Sequence, residues 1–83
     1  MKYPVVISKD EEKFYVDIPD FNSATEGTST IDALLMAKDC IEMLGNTLID
    51  EGNEIPLPNT SKFVLNGGEI VVYVNVEFTE QKK

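Results

Sequence analysis

Apolar residues recur along this chain at two different periods. Tyr3 to Ser8 reads Tyr-Pro-Val-Val-Ile-Ser, a β-branched run bounded by polar residues. Phe14 to Ile18 alternates strictly, with Phe14, Val16 and Ile18 on one face and Tyr15 and Asp17 on the other. The charged segment Lys9-Asp10-Glu11-Glu12-Lys13 between them predicts a solvated turn, so the pair predicts a β-hairpin. Pro4 is tolerated near the start of a strand. Pro19-Asp20 ends the second strand, and Ser23 to Glu26 predicts a short third. Ile70 to Phe78 is the clearest strand, with Ile70, Val72, Val74, Val76 and Phe78 facing one way.

Between the strands the period changes. Thr28-Ser29-Thr30 supplies hydroxyls to cap a helix, and Asp32 favours the positive end of its dipole. The pattern predicts a helix from Thr30 to Asp50 or Glu51, stopped by Gly52 in a left-handed conformation. Gly45 inside it costs about 1 kcal/mol relative to Ala and marks close packing. Leu34, Ala37, Ile41, Leu44 and Leu48 form the stripe expected to lie on the sheet. Met36, Cys40, Met43 and Thr47 widen the apolar arc beyond what one sheet face needs. Either the following loop covers this strip or it contacts a second copy or a partner. Lys38, Asp39, Glu42, Asn46 and Asp50 mark the wet side. Glu54-Ile55-Pro56-Leu57-Pro58-Asn59 is an extended connector, held off helix by its prolines. A short strand at Lys62–Leu65, turned by Asn66-Gly67-Gly68, precedes the last strand.

The expected order is therefore β-β-β-α-β, an α+β fold. It is an antiparallel three-stranded meander, then a long helix packed on one face of the sheet, then a last strand. A strand–helix–strand connection favours a right-handed crossover, which would set the last strand parallel to a neighbour. Residues 1–78 read as one domain and 79–83 as a polar tail.

Composition then narrows the chemistry. Hydrophobic residues make up 42% of the 83 positions and charged residues 27%, values typical of a globular domain and not of disorder. Fifteen Asp and Glu face seven Lys, with no Arg and no His, giving a net charge of −8. A His-based nucleophile system and a His/Cys zinc site have no residues to use. So few cations make a poor phosphate ligand, and no direct nucleic-acid binding is expected. An acidic surface suits a basic partner instead. The single cysteine, Cys40, reads as a small buried hydrophobe. No segment has the apolar length of a signal or a membrane span, so a cytoplasmic location is expected.

An ordered set of short elements resembles one family. Tyr3-Pro4 opens the first strand, and an acidic hairpin turn leads to an aromatic-rich second strand. Pro19-Asp20-Phe21 and then Thr25-Glu26-Gly27-Thr28 precede the helix, which contains Ala33, Ala37 and Leu44. Gly52 and Glu54-Ile55-Pro56-Leu57-Pro58 follow, before the Val-rich strand. From about Tyr3 to Phe78 this resembles the HicB-like antitoxins of bacterial type II toxin–antitoxin pairs. Where the family commonly has Pro-Gly-Cys, this chain has Asn22-Ser23-Ala24.

The resemblance implies a partly degraded RNase H-like fold that neutralises HicA, a small basic mRNA-cleaving toxin, by covering its RNA-binding surface. Many members add a C-terminal DNA-binding segment. Thr79-Glu80-Gln81-Lys82-Lys83 cannot build one, so the chain reads as a short form without it. RNase H-type hydrolysis needs carboxylates converging on metal ions. By resemblance that fold places one Asp mid-way along its first strand, where Lys2 to Ser8 carries no acid. A non-enzymatic protein with no metal and no cofactor is the expectation. The candidate partner-binding residues are Asp17, Asp20, Glu26 and Glu42, with Phe21 as an apolar anchor. Met36, Cys40 and Met43 are candidates for the interface of a dimer or tetramer. The competing reading is a stand-alone oligomeric interaction domain of the same fold, with no partner or a different one.

Overall fold

The computed structural model describes residues 1–58 and 63–78. Four strands and one long helix are present: β1 (Lys2–Asp10), β2 (Lys13–Ile18), β3 (Ser23–Gly27), α1 (Thr30–Asp50) and β4 (Ile70–Asn75), with a single 3-10 turn at Pro19–Phe21. The strands form one sheet in the order β3-β2-β1-β4. Asp10 pairs with Lys13 across the first hairpin, so the charged turn narrows to Glu11-Glu12, with Glu11 at φ 56°. Pro19 ends β2 as its missing N–H requires, and Asn22 takes the left-handed conformation that turns the chain into β3.

Every neighbouring pair in the sheet is antiparallel, β4 with β1 included. The parallel last strand expected from the crossover rule is therefore wrong. The register supplies the reason. Gly27, the last residue of β3, lies level with Phe14 and so with Lys9 at the far end of β1. The helix, about 31 Å long at ~1.5 Å per residue, carries the chain from there to the opposite end. At that end the Tyr3 hydroxyl donates to the Pro56 carbonyl at 2.6 Å. The connector then returns the chain, and β4 starts at Ile70 opposite Ile7. A helix alone would have delivered a parallel strand; a helix followed by a return to the starting end delivers an antiparallel one. Of the short strand expected at Lys62–Leu65, Phe63 to Leu65 are not in a strand and Lys62 lies outside the described residues. The Asn66-Gly67-Gly68 turn does form, closed by the Glu69 N–H on the Asn66 carbonyl at 3.1 Å.

The ends of α1 follow from their sequence. Ser29 Oγ accepts the Asp32 N–H at 3.0 Å, and Asp32 Oδ2 accepts the Thr28 N–H at 2.9 Å. Two otherwise orphaned donors are thus satisfied reciprocally. At the other end the Gly52 N–H reaches the Ile49 carbonyl and the Asn53 N–H reaches Leu48, with Gly52 at φ 77°. This is a Schellman closure with glycine at the left-handed position.

The helix packs by its small residues. Ala33, Ala37, Ile41 and Gly45 are its fully buried line, whereas Leu34, Leu44 and Leu48 are only half-buried. The stripe centred on leucines is thus displaced by one row. Small residues let the helix axis settle close to the sheet; Leu34 packs against the core's margin, while Leu44 and Leu48 face Phe21 and Pro56. A β-carbon at Gly45 would collide with the ring of Phe78, and one at Gly27 would stand 2.5 Å from the backbone nitrogen of Ala33. Tyr3, Val5, Ile7, Val16, Ile18, Val74 and Val76 complete the core from the sheet side.

Candidate functional site

The sheet has one face under the helix and one open face. The registers put Ala24, Asp17, Val6 and Val71 in one row across the open face, and Glu26, Tyr15 and Ser8 in the next. Asp17 and Glu26 thus stand on neighbouring strands of the same exposed surface. Asp17 lines a shallow depression with Val6, Pro19, Asn22 and Ala24. Glu26 is shared with Lys13 at 3.5 Å, and both side chains stay more than half exposed, so the pair contributes little to stability.

Asp20 and Phe21 sit on the 3-10 turn beside this surface. The Phe21 ring meets Tyr3 edge-on with centroids 5.0 Å apart, so it is half spent as packing. Its remaining surface joins Asp20, Leu44, Thr47, Leu48 and Pro56 in an apolar groove of about 350 Å³ with the acid at its rim. Burial, with the charge of Asp20 in second place, raises the Tyr3 hydroxyl pKa above its ordinary 10.0.

Glu42 is placed apart from these residues. Its Oε2 accepts from Lys38 Nζ at 2.7 Å and from the Glu77 N–H at 3.1 Å. The hydrogen bond from Lys38, then that from Glu77, lowers its pKa below the ordinary 4.5. Lys38 is correspondingly raised, chiefly by the same bond. Glu42 therefore ties α1 to the chain beyond β4 and leaves little of its charge to a partner.

Met36 and Met43 are exposed on the opposite flank of the helix, the one toward β3. With Thr25, Asp39 and the half-buried Cys40 they line a further apolar groove of about 280 Å³. Cys40 Sγ lies 3.7 Å from Ser23 Oγ. Asp32, Met36, Asp39 and Met43 recur at three- and four-residue spacing, so acids and methionines alternate down one ridge. Asp32 and Asp39 were not among the candidates from sequence. Their spacing to the methionines was legible, but which flank would face the sheet edge was not.

The structure thus sets Asp17 and Glu26 on the open face, opens Asp20 and Phe21 toward the helix side, places the methionine ridge next to β3, and separates Glu42 from all of these. Among the described residues no group of three or more Asp, Glu and Cys is arranged to hold a metal ion, and no helix is long and apolar enough to cross a membrane. What remains is an acid-rimmed, partly apolar surface suited to a protein partner.

The family model of HicB-like antitoxins of bacterial toxin–antitoxin systems matches residues 2–80. No curated protein sequence matches significantly. Two solved structures share the fold over 100% of this chain. One is a toxin–antitoxin complex from Streptococcus pneumoniae, 22% identical with a TM-score of 0.78, of which 76% is covered. The other is the antitoxin HicB of Burkholderia pseudomallei, 20% identical with a TM-score of 0.79, of which 71% is covered.

Proposed function

This chain belongs to the HicB-like antitoxin family of bacterial toxin–antitoxin systems, and we propose that it neutralises a small, basic, RNA-cleaving toxin of the HicA type. The observation that carries the reading is the pair of acids Asp17 and Glu26 on the open face beside the β3 edge, with the acid–methionine ridge of α1 along that same edge. A toxin that binds RNA must present Lys and Arg to phosphates. A surface of net charge opposite to it steers encounter and excludes the RNA. Charge gives rate and orientation; desolvated apolar contacts give most of the affinity. The Phe21 groove and the adaptable methionines supply such contacts. The role is binding without catalysis, and the site of action is the cytoplasm, where both mRNA and toxin are found.

The test is an RNA-cleavage assay on the product of the neighbouring reading frame, with and without this chain. Cleavage should stop near one equivalent, and the two proteins should co-purify. Cleavage that continues unchanged at stoichiometric excess contradicts the reading.

A further inference from the structure

We propose that Met36, Cys40 and Met43 form a three-sulfur site on α1 for one soft monovalent metal ion, copper(I). The chain has four sulfur atoms, and three of them line a single groove of about 280 Å³ beside β3. The fourth, in Met1, stands apart beside the Tyr3 hydroxyl. Spacing brings the three together. Met36 lies four residues before Cys40 and Met43 three after it, and on a helix both offsets fall on one face. Along the axis the methionines stand about 6 Å and ~4.5 Å from the cysteine, at ~1.5 Å per residue. Helical side chains lean toward the N-terminus, which carries Met43 onto Cys40. Met36 closes the set from the preceding turn, since its unbranched side chain has three rotatable bonds.

The donors select the ion. One thiolate and two thioethers are soft ligands, the kind that suits copper(I). Zinc seeks four nitrogen, thiolate or carboxylate donors. This groove offers it Cys40 and Asp39 alone, and the chain has no histidine. Magnesium and calcium take oxygen ligands in numbers that the groove does not supply. Cys40 is half-buried, with Ser23 Oγ 3.7 Å from its Sγ. The hydroxyl on β3 thus orients the sulfur and is placed to donate to it as a thiolate. Met36 and Met43 are exposed, so the approach is open and the thioethers are free to turn onto an ion.

Packing alone does not account for the sulfur. The groove on the opposite flank of α1 has a similar volume, about 350 Å³, and is lined by Leu44 and Leu48 with no sulfur at all. Binding replaces the Cys40 thiol proton with the metal and leaves both oxidation states unchanged. The proton passes to solvent, so affinity rises with pH. The site is complete within one chain and does not depend on the toxin reading.

Two titrations test it. Copper(I), kept free of oxygen, is partitioned between the chain and a weak chromophoric chelator. Silver(I), its redox-inert analogue, is followed through the methionine methyl signals in NMR. One copper(I) per chain should leave the chelator, and Cys40→Ser should abolish the transfer. Met36→Leu and Met43→Leu conserve volume and so spare the fold. Each should weaken binding by about tenfold or more, since even the outer partners of a metal ion contribute that much. One equivalent of silver(I) should move the Met36 and Met43 methyls and leave Met1 in place. An equal amount of zinc(II) should not displace the copper. The proposal is overturned if the chelator keeps all its copper, if zinc(II) displaces the ion, or if the three methyls move alike. It is also overturned if the Met36→Leu/Met43→Leu double variant binds as tightly as the unmodified chain, which would leave only a lone thiol.

Discussion

The two sides of the sheet differ in how they meet solvent. On the β3 side the edge is short and polar, α1 lies close above it, and acids rim the grooves around it. On the β4 side the edge is longer, uncharged and apolar, and Ile31 and Leu35 on the facing flank of α1 are exposed. One edge thus carries acids beside apolar grooves, and the other an uncharged, apolar strand. The difference arises from where the helix starts. Gly27 leads through a three-residue-spaced cap straight into α1, so the helix must begin over β3, and β4 joins the far edge only after a long return.

The largest effects are expected where the helix meets each side. Gly27→Ala would press a β-carbon against the backbone of Ala33, which cannot yield without shifting the helix start. Denaturant unfolding should show a loss of about 3 kcal/mol, the upper range for overpacking. Gly45→Ala meets the Phe78 side chain instead, and a ring can swing aside. Its cost is offset by the ~1 kcal/mol gain in helix propensity, so the net loss should be well below that of Gly27→Ala. Equal losses would mean that the β4-side junction is as rigid as the β3-side one.

A smaller effect belongs to Glu42, the tie between α1 and the chain beyond β4. Its folded pKa is depressed, so its contribution is present above the ordinary 4.5 and is lost as pH falls through the folded value. Lys38 is raised, so its share is complete below 10.5 and is lost only above that. Glu42→Gln should therefore lower stability by a constant amount across neutral pH, and the gap to the unmodified protein should close below 4.5. A gap that persists in acid would assign the effect to packing. The smallest effect is that of Val71→Lys on the isolated protomer. Its side chain is half-buried on the open face of an end strand, where a lysine stem can lie along the surface and keep its ammonium in water, so unfolding at dilution should change by no more than about 0.5 kcal/mol.

The elements themselves were readable because each rests on local chemistry. Ser29 with Asp32 marks the start of α1, Gly52 its end, and Pro19 the end of β2, and all three act within a few residues of their position. The direction of β4 was not readable, because it depends on how far the chain travels between α1 and β4. The displaced helix stripe has a similar origin: periodicity ranks leucine above alanine and glycine, but close packing puts the smallest residues nearest the sheet. Of the partner candidates, Asp17 could be placed on the face opposite Val16 from alternation alone, but its sharing a face with Glu26 required the β2–β3 register. The internal use of Glu42 required the backbone N–H of Glu77, 35 residues away.

The proposed assignment of the partner surface to the β3 side is tested most directly by calorimetric titration of the basic toxin with three proteins: the unmodified chain, the Asp17→Lys/Asp39→Lys double variant, and Val71→Lys. The double variant should lose at least about tenfold in affinity, equivalent to ~1.4 kcal/mol, with a weaker dependence on salt, while Val71→Lys should bind as the unmodified chain does. Undiminished binding by the double variant, with loss in Val71→Lys, would contradict the account.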